Sequence, residues 1–90
     1  MSAGAVIVEL FGIPRLRAGR AELAVAPGSV ADVLAEVRLR CPGLSDLLTD
    51  EGQLSPHYLL SIDGSCFLKD LAHTLRIGER LLLLSADPGG

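Results

Sequence analysis

One amphipathic helix with strand-like segments on both sides constrains the fold of this chain most. Ser29 precedes the helix and predicts its N-cap, with Asp32 close to the positive helix end. Pro42 and Gly43 predict its end, because proline cannot continue a helix and glycine favours left-handed angles. Helical spacing predicts one core-facing stripe. The stripe consists of Val30, Val33, Leu34, Val37 and Cys41.

Two strand-like segments precede this helix. Residues 5–11 are rich in β-branched side chains and lead to Gly12, which predicts a strand followed by a loop. Alternation places Val6, Val8 and Leu10 on one face of that strand. Residues 21–26 alternate in the same way and stop at a proline-glycine pair. A short loop joins the two segments, so we expect an antiparallel hairpin.

Three more strand-like segments follow the helix: residues 57–62, 66–68 and 80–85. The last is apolar on both faces, which fits a central position in a sheet. The order strand, strand, helix, strand, short strand, strand predicts an α+β fold, a β-grasp arrangement. We expect a mixed sheet of four to five strands with one main helix packed across it. The first and last strands would then pair in parallel at the sheet centre.

Composition limits the function. Ninety residues form one domain, which we place at 1–86. The net charge of −3 argues against a nucleic-acid partner. The apolar runs are too short to span a membrane, and the N-terminus does not resemble a signal peptide. We therefore expect a cytoplasmic protein with no membrane partner.

Catalytic and metal-binding patterns are missing from the sequence. The two cysteines and two histidines lack the spacing of metal ligands, so we expect no metal site. No nucleophile-base set and no phosphate-binding glycine loop is present. The sequence therefore predicts a protein that is not an enzyme and binds no cofactor itself.

The chain continues past its last strand with Asp87-Pro88-Gly89-Gly90. We interpret residues 87–90 as a flexible C-terminal tail. Glycine has no Cβ, so Gly89 and Gly90 could pass through a narrow channel into the active site of another protein. A carboxylate must be activated before it reacts, so such a tail needs an ATP-using partner. Terminal glycines also occur at frayed chain ends, which is the alternative interpretation.

Several stretches resemble the ubiquitin-like sulfur carriers, which include the small subunit of molybdopterin synthase and the thiamine-pathway sulfur carrier. The matching stretches are F-x-x-x-R-x-x-A-G at 11–19, PGSVADVL at 27–34, CPGL at 41–44 and L-x-I-G-E-x-L at 75–81. With Gly89-Gly90 they cover nearly the whole chain in the family's order. Asp87-Pro88 departs from the small or apolar residues that are common before the family's diglycine.

The resemblance implies a ubiquitin-like β-grasp fold and a defined chemistry. An E1-like adenylyltransferase would use Mg-ATP to adenylate Gly90, and a sulfur donor would convert the acyl-adenylate to a thiocarboxylate. The most fitting acceptor is the large subunit of molybdopterin synthase, and another sulfur-accepting enzyme is the alternative. Phe11, Arg15, Leu81 and Leu83 are the candidate docking residues, although an aliphatic residue in a strand is more often part of the core.

The same residues also fit other functions. The chain could be a protein modifier joined through Gly90 to lysines of target proteins. With Lys69 as the single lysine, linkage of the modifier to itself would have one lysine site. It could also carry sulfur for thiamine, cysteine or another thio-metabolite. A binding module with incidental glycines is a further alternative, because the β-grasp fold hosts many functions.

Overall fold

The computed structural model describes residues 4–62 and 66–86. Seven strands form two sheets. Their bounds are β1 (Val6–Leu10), β2 (Glu22–Val25), β3 (Gly28–Ser29), β4 (Tyr58–Ile62), β5 (Cys66–Phe67), β6 (Thr74–Leu75) and β7 (Arg80–Ser85). The main sheet has the order β2-β1-β7-β4-β5, and β3 pairs with β6 in a second, two-stranded sheet. The predicted mixed sheet of four to five strands is confirmed.

Strand β7 occupies the centre of the main sheet. It runs parallel to β1, with Leu10 opposite Leu83, and antiparallel to β4, with Tyr58 opposite Ser85. A strand covered by neighbours on both sides suits an apolar run. The predicted parallel pairing of the first and last strands is therefore confirmed.

Helix α2 (Val30–Arg40) packs on one face of the sheet and buries the predicted stripe. Ser29 is its N-cap, and the Ser29 hydroxyl accepts a hydrogen bond of 3.1 Å from the amide of Asp32. The amides of Val30 and Ala31 donate to the carbonyls of His73 and Leu71. The first turn of α2 is thus held by one side chain and two backbone carbonyls.

The segment after β1 differs from the prediction. It is a helix, α1 (Gly12–Ala18), where we expected a loop. The buried Pro14 lies in the first turn, where backbone amides have no acceptor within the helix. The amide hydrogen that proline lacks is therefore not needed there. Gly19 ends α1 in the left-handed conformation (φ 72°), and its amide donates to the carbonyl of Arg15. The glycine and proline therefore delimit a short helix.

A 3₁₀ turn (Pro42–Leu44) follows α2. The helix ends where we predicted, but Gly43 does not adopt left-handed angles. A Cβ on Gly43 would overlap the backbone carbonyl of Arg17 in α1. The glycine therefore permits close contact between the turn and α1.

Two arginines cover the outer edge of β2. The Arg40 guanidinium donates to the Ala24 carbonyl at 2.7 Å, and the Glu36 carboxylate holds that guanidinium at 2.7 Å. The Arg20 side chain donates to the Glu22 carbonyl at 3.3 Å. These carbonyls would otherwise be available to another strand, so the arginines close this edge to strand addition.

Candidate functional site

The exit of the chain from the sheet defines the candidate site. Ser85 ends β7, and the Ala86 amide donates to the His57 carbonyl at 2.9 Å. The predicted tail, with Gly89 and Gly90, lies outside the described residues. The central strand therefore leads directly to the segment that carries the diglycine.

The sheet face opposite α2 carries an apolar patch beside this exit. Leu84 lies opposite Leu59, and Ser61 lies between Leu82 and Phe67. Leu59 is 37% exposed and Phe67 is 67% exposed, while Leu82 and Leu84 are half-buried. We call Leu59, Phe67, Leu82 and Leu84 the outer patch. An exposed apolar surface of this kind suits contact with another protein.

Two of the predicted docking residues belong to the core instead. Leu81 and Leu83 are completely buried on the α2 side of the sheet. Side chains alternate along a strand, so the leucines of β7 that face outward are Leu82 and Leu84. The choice of Leu81 and Leu83 as docking residues is therefore wrong by one position.

The other two docking candidates are exposed. Phe11 follows β1 and is 41% exposed, and its amide donates to the Leu83 carbonyl. Arg15 lies in α1 and is also exposed. Their positions are compatible with docking, which stays a prediction.

The outer sheet face becomes charged towards β2. The Arg80 guanidinium lies 3.3 Å from the Glu9 carboxylate and 3.7 Å from that of Glu22. Exposed ion pairs of this kind add little to stability. They give the outer face a polar border next to its apolar part.

A hydrogen-bonded cluster lies on the other side of the exit. The Tyr58 hydroxyl donates to Asp46 Oδ1 at 2.6 Å, and Arg17 Nη1 donates to Asp46 Oδ2 at 2.9 Å and to the Tyr58 oxygen at 3.0 Å. The Tyr58 hydrogen bond, followed by that of Arg17, lowers the pKa of Asp46. Burial, and then the bond to Asp46, raises the pKa of Tyr58. No local pattern in the sequence predicts this cluster.

An apolar depression adjoins the outer patch. It has a volume of about 350 Å³ and lies beside the short edge strand β5. Lys69 lies on its border, and its side chain is exposed. Its apolar lining includes Phe67 and the leucines Leu54, Leu59, Leu60 and Leu68.

Within residues 4–62 and 66–86, no group of three or more histidines, cysteines, aspartates or glutamates could hold a metal ion. The helices in the same ranges are too short or too polar to cross a membrane. Cys41 is a buried free thiol at the end of α2.

No protein-family model and no curated protein matches the chain. Solved structures do. SAMP1, small archaeal modifier protein 1 of Haloferax volcanii, is 25% identical with a TM-score of 0.81, covering 97% of this chain and 100% of its own.

Two further structures share the fold. CysO, in the BexX/CysO complex of Amycolatopsis orientalis, is 22% identical with a TM-score of 0.78 and covers 96% of this chain and 100% of its own. A putative molybdopterin converting factor, subunit 1, of Pyrococcus furiosus is 17% identical with a TM-score of 0.73 and covers 92% and 98%. The predicted resemblance is confirmed: the chain has the ubiquitin-like β-grasp fold, and its structural neighbours include small archaeal modifier proteins, CysO, a molybdopterin converting factor subunit and Urm1.

Proposed function

We propose that this chain is a sulfur carrier and that Gly90 holds the sulfur. The Gly90 carboxylate attacks the α-phosphate of Mg-ATP in an E1-like enzyme, which releases pyrophosphate and leaves an acyl-adenylate. A sulfur donor then displaces AMP and leaves a thiocarboxylate. The carrier supplies the reacting carboxylate, and its partners supply the catalytic side chains.

The observation that carries this proposal is the connection between β7 and the diglycine. Strand β7 is fixed between β1 and β4, and the chain passes from Ser85 to Gly89-Gly90 in a few residues. A rigid domain can therefore rest on a partner while a segment without Cβ atoms enters its active site. The outer patch beside the exit offers the apolar contact surface for that partner.

Molybdopterin synthesis is the acceptor pathway that we propose. Thiamine-pathway carriers tend to be shorter between the helix and the third strand, so the length of this chain suits a molybdopterin-type carrier better. The Pyrococcus furiosus neighbour bears the name of a molybdopterin converting factor. The partner that accepts sulfur is then the large subunit of molybdopterin synthase. The CysO neighbour was solved in a complex with BexX, which supports a role alongside a partner protein. Such a carrier works in the cytoplasm, where ATP and the activating enzyme are present.

A protein modifier is the second candidate, favoured by the likeness to small archaeal modifier protein 1. In this reaction a lysine amine of a target displaces AMP from the acyl-adenylate, and an isopeptide bond to Gly90 forms. The exposed Lys69 offers one lysine site for self-linkage. A carrier for thiamine, cysteine or another thio-metabolite would use the same activation and a different acceptor.

Intact-mass spectrometry tests the proposal. The chain is purified from its source cells and, in parallel, incubated with its E1-like enzyme, Mg-ATP and a sulfur donor. A mass increase equal to one exchange of oxygen for sulfur, located on Gly90 by fragmentation, is the expected result. A variant with one alanine added after Gly90 is the control and should stay unmodified.

Three other results would each change the conclusion. Isopeptide-linked adducts without a thiocarboxylate would favour the modifier. A thiocarboxylate that transfers no sulfur to molybdopterin synthase would support the carrier function and rule out molybdopterin synthesis as its pathway. An unmodified chain after incubation with the active enzyme would contradict both functions.

A further inference from the structure

A polar hollow of about 150 Å³ lies beside the exit of the chain from the sheet. Ser85, the last residue of β7, and His57 both line it. The His57 carbonyl accepts a hydrogen bond from the amide of Ala86, the residue after Ser85. The other lining residues are Ile13, Arg17, Asp46 and Tyr58. A protein that receives residues 87–90 therefore approaches the domain next to this hollow.

In the cluster formed by Arg17, Asp46 and Tyr58, the groups that remain available for a further hydrogen bond are donors. Both Asp46 carboxylate oxygens accept hydrogen bonds, and the Tyr58 hydroxyl both donates and accepts. In the contacts that the structure describes, Arg17 donates through Nη1 alone, and its side chain is 46% exposed. Its Nε and Nη2 hydrogens therefore remain for an additional acceptor.

The charge around the hollow favours an anionic acceptor. Residues 11–21 contain Arg15, Arg17 and Arg20 and no acidic residue, in a chain whose net charge is −3. Of these three arginines, Arg17 lines the hollow, and its positive charge attracts a negatively charged group of a partner. A guanidinium whose Nε and Nη2 hydrogens are free can pair with a carboxylate through two parallel hydrogen bonds.

We propose that Arg17 binds a side-chain carboxylate of the E1-like enzyme while that enzyme holds the C-terminal segment. This inference rests on the proposed function and adds a specific contact to it. Asp46 and Tyr58 orient the guanidinium from one edge, and the partner carboxylate binds the other edge. The contact steers the diglycine towards the nucleotide and acts on recognition, not on the chemical step.

The test measures ATP–pyrophosphate exchange by the E1-like enzyme as the concentration of the full chain is varied. For Arg17→Gln we expect KM to rise by roughly three- to ten-fold with little change in kcat, as for loss of a peripheral charge pair. The KM of the wild type should rise with salt, and that of Arg17→Gln should rise less. Arg76→Gln is the matched control, because Arg76 is exposed and precedes the opposite end of β7.

Asp46→Asn separates contact with the partner from a merely structural role. Both Asp46→Asn and Arg17→Gln break the Arg17–Asp46 ion pair, but only the latter removes the guanidinium. Asp46→Asn keeps an acceptor oxygen that can orient the guanidinium but no longer neutralises its charge, so KM should stay unchanged or fall if Arg17 binds a partner carboxylate. An equal rise of KM in both variants would mean that the ion pair only supports the fold, and this would overturn the inference.

Two further outcomes are decisive. If the wild type supports ATP–pyrophosphate exchange and Arg17→Gln has the same KM, the inference is overturned and the proposed function stands. No exchange with the wild type, in an enzyme preparation that is active on another carrier, would overturn both.

Discussion

Gly43 lies against the backbone carbonyl of Arg17, so the 3₁₀ turn and α1 meet without a side chain between them. Neither backbone can move aside like the flexible end of a side chain. The same helix carries the guanidinium that faces the hollow at the chain exit. The packing of Gly43 therefore helps to fix the position of Arg17.

Replacement of Gly43 by alanine should destabilise the protein. The new methyl group would overlap the Arg17 carbonyl, and overpacking of this kind lowers the free energy of unfolding by roughly 1–3 kcal/mol. Urea denaturation measures the change. Gly28→Ala is the control, because a Cβ there meets Asp32 at an ordinary distance of 3.7 Å. Equal stability of the two variants would contradict the close contact.

Neighbouring leucines of β7 should respond differently to truncation. Leu83→Ala removes a fully buried side chain and should lower the free energy of unfolding by about 2–5 kcal/mol. Leu84→Ala lies on the outer patch and should cost roughly 1 kcal/mol or less. Binding to the E1-like enzyme should weaken for Leu84→Ala, measured by calorimetry at a temperature where both variants are folded. A larger loss of stability for Leu84→Ala would contradict the assignment of faces.

Acid should weaken the contribution of Asp46 to stability. Its pKa in the folded protein lies below the ordinary value of about 3.9, so its ionised form is favoured by folding. The contribution is complete above about pH 5 and decreases as the pH falls through about 4 towards the folded pKa. The difference in unfolding free energy between wild type and Asp46→Asn should shrink over that range.

The same prediction can be checked on the carboxyl group itself. Tyr58→Phe removes the hydrogen bond that contributes most to the lowered pKa. An NMR titration of the Asp46 carboxyl carbon should then give a higher pKa than in the wild type. An identical titration curve in the two proteins would show that the hydroxyl has no such effect.

Removal of the arginines from the edge of β2 should promote self-association. The double variant Arg20→Ala, Arg40→Ala frees the carbonyls of Glu22 and Ala24 for pairing with a second copy. Sedimentation velocity at increasing concentration should show dimers that the wild type lacks. Arg38→Ala is the control on the same helix and should behave like the wild type. A monomeric double variant would mean that other features protect this edge.

Local patterns explain what the sequence could predict. The N-cap at Ser29 and the bounds of β7 agree with the structure, because capping and strand alternation depend on adjacent residues. Helix α1 was missed because Gly12 and Pro14 are typical of loops, although proline fits a first helical turn. The structural effect of these two residues therefore depends on their position in the first turn of α1.

Long-range features could not be predicted in the same way. Strand β7 has leucines on both faces, so alternation gave no signal to choose Leu81 or Leu82 as the outward residue. The cluster at the exit joins Arg17 to Asp46 and Tyr58 across 29 and 41 positions. No periodic pattern relates residues at such distances, and only the folded sheet brings them together.

The central position of β7 also affects how the domain is made on the ribosome. A nascent chain that has emerged only as far as β6 lacks the strand between β1 and β4. Strand β1 can pair with β2 early, but its other neighbour, β7, lies about seventy residues later in the chain, so the sheet is completed only after the synthesis of β7. An incompletely translated chain therefore cannot form the surface that an activating enzyme would bind, and only molecules that extend through β7 can present residues 87–90 on a finished domain.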